Sequence, residues 1–119
     1  MKLYRISNMQ DNISGHILKD ILPGEYIYLG GLSFLKPGDR SHTNDGTGGV
    51  DYHVHTDCEA FVIFQGKGNV EINKSLYPVT AGDIVIVEPG EDHHIISDTS
   101  SPLVTLWCHA GSNRNKNQL

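Results

Sequence analysis

Hydrophobic residues in this chain occur in short runs that glycine and proline interrupt. No stretch shows the 3.6-residue period of an amphipathic helix, and the runs are rich in β-branched and aromatic residues, which favour strands. Tyr26–Leu35 is one such strand, with a bulge or kink expected at Gly30-Gly31. Ile84–Val87 is continuously apolar, as is typical of a strand buried on both faces. This pattern predicts an all-β protein.

The other predicted strands are shorter and lie between turn residues. Residues 1–20 show a mixed pattern, in which an edge strand is expected to start at Ile17 and Leu18. The strands that follow cover Glu59–Gln65, Asn69–Ile72, Leu76–Val79, His94–Ser97 and Leu103–Cys108. The turns between these elements include Leu22–Glu25, Gly66–Gly68, Asn73-Lys74, Ala81–Asp83 and Pro89-Gly90. Many short strands at close spacing predict a single antiparallel β-barrel or jelly-roll sandwich.

The length and charge of the chain exclude several classes of protein. A chain of 119 residues fits one domain with a single core; we assign residues 1–110 to it and expect the polar tail, 111–119, to be disordered. The net charge is −5 and no segment concentrates Lys or Arg, which argues against nucleic-acid binding. No signal-like N-terminus and no membrane-spanning apolar run is visible, so we expect a cytoplasmic protein without a membrane partner.

One polar stretch, Asp51–Gly66, contains residues that bind metals. His53, His55 and Glu59 share a parity, and side chains two positions apart in a strand project from the same face. A hairpin or bend would bring the Glu59 carboxylate to the two imidazoles, and such a set leaves coordination positions open for water or substrate. On its own, however, the stretch also fits a solvated strand face with a surface carboxylate.

A second motif downstream favours the metal interpretation. It runs from Gly82 through Glu88-Pro89-Gly90 to His93 and Ser97, and fifteen residues separate it from the first motif, H-x-H-x3-E-x6-G, which ends at Gly66. Together the two motifs resemble the paired motifs of the cupin superfamily, and in particular small single-domain metal-binding cupins of the cupin 2 type. The resemblance covers about half of the chain and implies a cupin barrel.

The resemblance also implies a metal site with one divalent metal per chain. The implied ligands are His53, His55, Glu59 and His93. Imidazole and carboxylate ligands suit Fe, Mn, Ni, Zn and Cu, so the sequence leaves the identity of the metal open. Phe61 and Ile63 share the parity of Glu59 and are expected to form the apolar floor of the pocket, which excludes water.

The chain departs from the family pattern at three positions. Glu88 stands where proline is usual, and Ser97 replaces a frequent asparagine. Thr47 stands where glycine is expected, six residues before the first histidine. Neither Glu88 nor Ser97 occupies a ligand position in the family, so the implied ligand set is unaffected.

The polar loop Arg40–Gly49 precedes the histidines and is longer than a minimal cupin connection. One hypothesis is a lid that closes over substrate, with Arg40 as a candidate catalytic-site residue that pairs with a substrate carboxylate. The alternative is a solvated spacer whose charges meet only water.

Several further residues are secondary candidates. His94 follows an implied ligand and points the other way on a strand, so we expect it to pack or to support the site from behind. His109 is a candidate acid or base, with an ordinary surface position as the alternative, and His42 is left open. Cys58 and Cys108 form no C-x-x-C pair and are expected to be buried core residues or spectators.

A cupin barrel does not define a function, because enzymes, binding modules and storage proteins share it. We consider three hypotheses: a metal-dependent enzyme of the dioxygenase, isomerase, cyclase or lyase type acting on a small oxygen-rich substrate; a non-catalytic small-molecule-binding or sensor protein; and a structural or storage protein. The four intact ligands favour the first. The resemblance also implies a homodimer, to which the N-terminal segment with Leu18, Ile21 and Leu22 would contribute.

Overall fold

Eight β-strands and no α-helix make up the described part of the chain, which confirms the all-β prediction. The structure, a computed structural model, describes residues 1–6, 26–41 and 52–111. The strands are β1 Lys2–Arg5, β2 Tyr26–Leu35, β3 Cys58–Gln65, β4 Lys67–Ile72, β5 Ser75–Thr80, β6 Asp83–Val87, β7 His93–Ser97 and β8 Leu103–Gly111. Within these ranges, no helix is long and apolar enough to cross a membrane.

The strands form two antiparallel sheets, one of five strands in the order β1-β6-β3-β8-β2 and one of three in the order β5-β4-β7. Buried apolar side chains from both sheets form one core: Phe61, Ile63, Val70, Ile72, Val79, Val85, Val87, Ile95 and Leu103. Two antiparallel sheets that pack over a shared core form a jelly-roll sandwich. The predicted fold class is therefore confirmed.

β6 is apolar on both faces, as its sequence predicted. Val85 and Val87 belong to the core between the sheets. Ile86, only 1% exposed, packs with Ala60 and Cys108 on the other face of the five-stranded sheet. The continuous apolar run thus reflects two separate apolar environments, one on each face of the strand.

The β4–β5 hairpin turns at Asn73-Lys74, as predicted, and both residues adopt positive φ angles of 48° and 74°. Two consecutive positive φ angles suit the right-handed twist of a two-residue hairpin. The predicted turn over residues 66–68 is wrong beyond Gly66, because β4 already includes Gly68. A Cβ atom on Gly68 would lie 2.0 Å from the Ile96 carbonyl oxygen, so this glycine permits close strand packing rather than a turn.

The predicted bulge at Gly30-Gly31 is also wrong. Both glycines pair in regular register with β8, and the irregularity in β2 lies between Ile27 and Leu29. A Cβ atom on Gly31 would lie 3.1 Å from the ring of Trp107. These glycines therefore leave room for a bulky neighbour on the adjacent strand, which the sequence pattern alone does not distinguish from a bulge.

The sequence did not predict β1, which pairs with β6 at the edge of the larger sheet. Three ionic contacts hold this short strand, the longest of them between Lys2 Nζ and Glu88 Oε1 at 3.8 Å. Arg5 Nε and Nη2 donate to the buried carboxylate of Asp83 at 2.9 and 3.1 Å, and the amino group of Met1 lies 2.8 Å from Glu91. The edge strand predicted at Ile17 lies outside the described residues.

Candidate metal centre

The two histidines of the first motif lie in an irregular segment, residues 52–55, which two further residues separate from the start of β3 at Cys58. The prediction that they lie on a strand is wrong. The backbone of this segment joins the turn before β7: His53 O accepts from His93 N at 3.1 Å and His55 O from Gly90 N at 2.9 Å. His53 N donates instead to the side chain of Asp92, at 2.8 Å, so no continuous ladder forms.

Despite this irregular backbone, the four implied ligands lie together. One ligand atom from each of them lies within 4.8 Å of the others: His53, His55, Glu59 and His93. The ring centroids of His53 and His55 are 4.4 Å apart, and the His93 ring lies 4.9 and 5.0 Å from them. Glu59, on β3, is 4% exposed and His93, on β7, is fully buried. Both sheets therefore contribute to a cluster inside the sandwich.

The chemistry of this cluster fits a divalent metal ion. Glu59 Oε1 lies 2.9 Å from His93 Nε2 and 3.2 Å from His55 Nε2. Among the described residues, His55 Nε2 is buried without a hydrogen-bond partner, although Glu59 Oε1 lies 3.2 Å away. A buried nitrogen in that state is costly, and a metal ion would satisfy it. The residues present thus suit Fe, Mn, Ni, Zn or Cu.

The electrostatic environment keeps Glu59 ionised. Burial by itself raises the pKa of this carboxyl group and is the largest single effect. The neighbouring imidazoles of His109, His55 and His93 lower the pKa, and their combined effect exceeds that of burial. The net result is a pKa well below the usual range. Since metal binding requires a deprotonated carboxylate, Glu59 is ready to bind at neutral pH.

His109 belongs to the same cluster, so the alternative of an ordinary surface histidine is excluded. It is 3% exposed and pairs with Glu59 in the β3–β8 register. Its Nε2 lies 3.1 Å from Glu59 Oε2, and its Nδ1 lies 3.0 Å from Asp57 Oδ2. Burial lowers the pKa of His109, but the two carboxylates raise it by more, so the net shift is upward.

Sequence reasoning missed Asp57, although a signal was present. Asp57 lies midway between His55 and Glu59 and shares their parity, so it belongs to the same alternating set. His55, Asp57 and His109 also form a second group whose ligand atoms approach closely enough to hold a cation.

His94 supports the site from behind, as predicted. It is fully buried; its Nδ1 lies 3.0 Å from Ser41 O and its Nε2 3.1 Å from Asp92 Oδ1. The same Asp92 oxygen accepts the backbone N–H of His53. His94 and Asp92 therefore help to fix the backbone of a metal-ligand candidate without entering the cluster themselves.

The structure does not bring Arg40 to the cluster. Its guanidinium pairs with Glu71 through two contacts of 3.1 and 2.5 Å and lowers the pKa of that carboxyl group. Glu71 alternates on β4 with Val70 and Ile72, which face the core, so it projects from the opposite face. Residues 42–49 of the predicted loop, which include His42, lie outside the described residues.

Neither cysteine has the environment of a reactive thiol. Cys58 is half-buried with its sulfur 3.7 Å from Glu88 Oε2, and Cys108 is buried. Burial is the largest cause of a raised pKa at both thiols. A raised pKa favours the protonated form, which is neither the nucleophile nor the metal ligand.

Apolar and aromatic side chains border the cluster. Phe61 and Ile63 are both buried in the core, and the Phe61 ring lies 6.1 Å from the His93 ring. The half-buried ring of Trp107, the register partner of Phe61 on β8, lies 5.9 Å from the His109 ring. The predicted apolar floor is therefore present, with Phe61 as the member next to the imidazoles.

The fold and the site define a jelly-roll sandwich with three imidazoles and one carboxylate gathered in its interior. The cupin domain family model, cupin 2, matches residues 33–109, and the chain belongs to this family. The matched range includes both motifs and all four implied ligands.

Two solved structures illustrate the likeness. A cupin 2 conserved barrel domain protein from Salinispora arenicola is 21% identical, with a TM-score of 0.56 over 67% of this chain and 60% of that one. A protein from Thermotoga maritima, described as a predicted oxalate decarboxylase, is 27% identical, with a TM-score of 0.56 over 70% of this chain and 65% of that one.

Another relative is described as a transcriptional regulator. The HTH-type transcriptional regulator YdiP of Escherichia coli, itself described as uncharacterized, is 36% identical over 58 residues. The match includes 48% of this chain but only 19% of the regulator. The present chain thus spans about a fifth of that relative, and less than two thirds of the Salinispora structure.

Proposed function

We propose that this cupin binds one divalent transition metal per chain through His53, His55, Glu59 and His93, and that it is an enzyme acting on a small oxygen-rich substrate. The observation that carries the proposal is the cluster of three imidazoles and one ionised carboxylate, in which Glu59 and His93 are buried and His53 and His55 half-buried. Four protein ligands leave coordination positions open for substrate oxygens. The reaction would be of the dioxygenase, isomerase, cyclase or lyase type.

The side chains of the cluster have distinct roles in this proposal. A divalent metal held there would act as a Lewis acid towards substrate oxygens. Glu59 and the imidazoles would hold it, while Asp92 fixes the backbone of His53 by accepting its N–H. Phe61 lies against His93 and keeps water from that side of the cluster, which strengthens electrostatic interactions inside it. The prediction that His109 transfers protons stays untested.

A non-catalytic sensor is the second candidate function. The likeness to a transcriptional regulator favours it, since such proteins couple ligand binding to an output. The ligand chemistry would be the same, because metal-bound oxygen ligands suit either role. The two candidates therefore differ in turnover rather than in binding.

A substrate panel distinguishes the enzyme from the sensor. Keto acids, enediols, sugars and aromatic diols are tested with protein that has been loaded separately with each of the five metals. The enzyme proposal predicts turnover of at least one class, and loss of turnover both after metal removal and in a His53→Ala/His55→Ala variant. A Lys36→Ala variant, changed at an exposed position at the end of β2, is the control and is expected to match the wild type. Saturable binding without product formation would support the sensor instead.

We also propose a homodimer, formed through the outer face of the five-stranded sheet. One side chain from each strand forms a continuous apolar row in register: Tyr4, Ile84, Val62, Leu106 and Leu32. Leu32 is 67% exposed and its neighbour Phe34 is 64% exposed. Apolar patches of this kind are typical of interaction sites. The N-terminal residues predicted to contribute, and the predicted cytoplasmic location, stay predictions.

Sedimentation velocity at micromolar concentration tests the dimer. Leu32→Lys places a charge on the apolar row and is expected to give a monomer. Leu76→Lys changes a leucine that is similarly exposed, at 57%, on the smaller sheet, and is expected to remain dimeric. A wild-type monomer, or an equal effect of both substitutions, would contradict the proposed interface.

A further inference from the structure

The two oxygens of the Glu59 carboxylate face different partners. Oε1 lies 2.9 Å from His93 Nε2 and 3.2 Å from His55 Nε2, on the side of the three clustered imidazoles. Oε2 lies 3.1 Å from His109 Nε2. A free carboxylate can rotate and can bind a metal through one or both oxygens, so a contact that occupies Oε2 determines which oxygen remains available.

The second ring nitrogen of His109 contacts another carboxylate, that of Asp57. Its Nδ1 lies 3.0 Å from Asp57 Oδ2, and the ring is 3% exposed within β8. An ionised carboxylate only accepts hydrogen bonds, so His109 can bond to Glu59 only by donating its Nε2–H. Asp57, His109 and Glu59 therefore form a buried carboxylate–imidazole–carboxylate chain that ends on a metal-ligand candidate.

We propose that His109 is a positioning residue, which Asp57 orients and which donates its Nε2–H to Glu59 Oε2, so that only Oε1 faces the metal. This inference rests on the proposed metal site and goes beyond it, since neither His109 nor Asp57 belongs to the four implied ligands. Partners that orient a metal ligand in this way typically change metal affinity by about 10–100-fold when they are lost.

A second metal site that includes His109 is the competing explanation. His55, Asp57 and His109 approach one another closely enough to hold a cation of their own. In that case His109 would be a ligand rather than a positioning residue, and the chain would bind a second equivalent of metal. What favours the positioning role is that both ring nitrogens of His109 already face carboxylate oxygens, Nε2 at 3.1 Å from Glu59 and Nδ1 at 3.0 Å from Asp57.

Two substitutions at one position separate these possibilities. In His109→Gln the amide nitrogen lies about where Nε2 was, so the donor to Glu59 is kept and the contact with Asp57 is lost. In His109→Asn the shorter side chain places its amide near Nδ1, so the contact with Asp57 is kept and the donor to Glu59 is lost. Both variants carry the same charge, so they differ only in the carboxylate that they reach.

The measurement is Zn²⁺ affinity by chelator competition, together with the absorption spectrum of the Co²⁺-loaded protein. His109→Asn is expected to weaken Zn²⁺ binding by about 10–100-fold and to change the Co²⁺ spectrum as the carboxylate becomes free to rotate. His109→Gln is expected to retain most of the affinity and the wild-type spectrum. The melting temperature of the metal-free protein shows whether either variant merely disturbs the fold.

The results distinguish a failure of the positioning role from a failure of the proposed metal site. Equal losses in both variants, or a loss in His109→Asn that follows the melting temperature of the metal-free protein, would overturn the positioning role. Two equivalents of Zn²⁺ per wild-type chain, reduced to one in both variants, would identify His109 as a ligand and overturn it as well. A wild-type protein that binds no Zn²⁺ or Co²⁺ would instead refute the proposed metal site, and the inference with it.

Discussion

Replacing His53 and His55 together with alanine is expected to abolish stoichiometric metal binding. A four-ligand zinc site contributes about 10–16 kcal/mol, so one ligand contributes roughly 3 kcal/mol, which corresponds to about 100-fold in affinity. Loss of two imidazoles should therefore weaken binding about ten-thousandfold. Elemental analysis after exhaustive dialysis, with metal-to-protein ratios for wild type and variant, measures the effect.

The single variant His93→Ala provides a graded comparison, because it leaves His53, His55 and Glu59 and should lose only about 100-fold. Lys36→Ala, at an exposed position, is the control and should retain the wild-type ratio. Ligating imidazoles must be neutral, so metal retention should also fall at acidic pH. Stoichiometric metal in the dialysed double variant would place the site elsewhere.

Replacing Gly66 with alanine is expected to destabilise the fold by about 2–5 kcal/mol. Its φ angle is +88°, a left-handed conformation that costs other residues about 1–2 kcal/mol. A Cβ atom there would also lie 2.0 Å from the Pro102 carbonyl oxygen, so backbone must move at a further cost of about 1–3 kcal/mol. Chemical denaturation of the metal-free variants gives the free energy of unfolding.

Two other glycines separate the cost of the left-handed backbone from the cost of the steric clash. Gly38 has φ +82°, but a Cβ atom added there would have no neighbour within 4 Å, so Gly38→Ala should show the backbone cost alone. Gly68→Ala meets the Ile96 carbonyl oxygen at 2.0 Å without a left-handed φ, so it should show the steric cost alone. A Gly66→Ala variant no less stable than Gly38→Ala would contradict this account.

Much of the fold could be predicted because its signals are local. β2 and the Asn73-Lys74 hairpin follow from β-branched and aromatic runs and from turn residues that tolerate positive φ. β1 could not be predicted, since four residues of mixed polarity carry little periodicity and form a strand only because β6 lies beside them. The function of Gly30, Gly31 and Gly68 was misjudged for a related reason, because their neighbours lie on other strands.

The candidate site was likewise predicted only in part. The resemblance carried by the two motifs implied His53, His55, Glu59 and His93 as ligands, and the structure gathers these four side chains within 4.8 Å. The strand assigned to the two histidines was nevertheless wrong, because the Asp92 side chain takes the hydrogen bond that a neighbouring strand would have accepted.

By itself, the sequence determined the fold class and the candidate ligands, since periodicity and motif spacing are properties of neighbouring residues. Only the tertiary structure decided what surrounds those ligands. Asp57 and His109 are 52 positions apart, and Asp92 and His53 are 39 apart. A period of two indicates which face a side chain occupies, but the strand opposite it depends on sheet order and register. Those long-range pairings place His109 against Glu59, and no local pattern contains them.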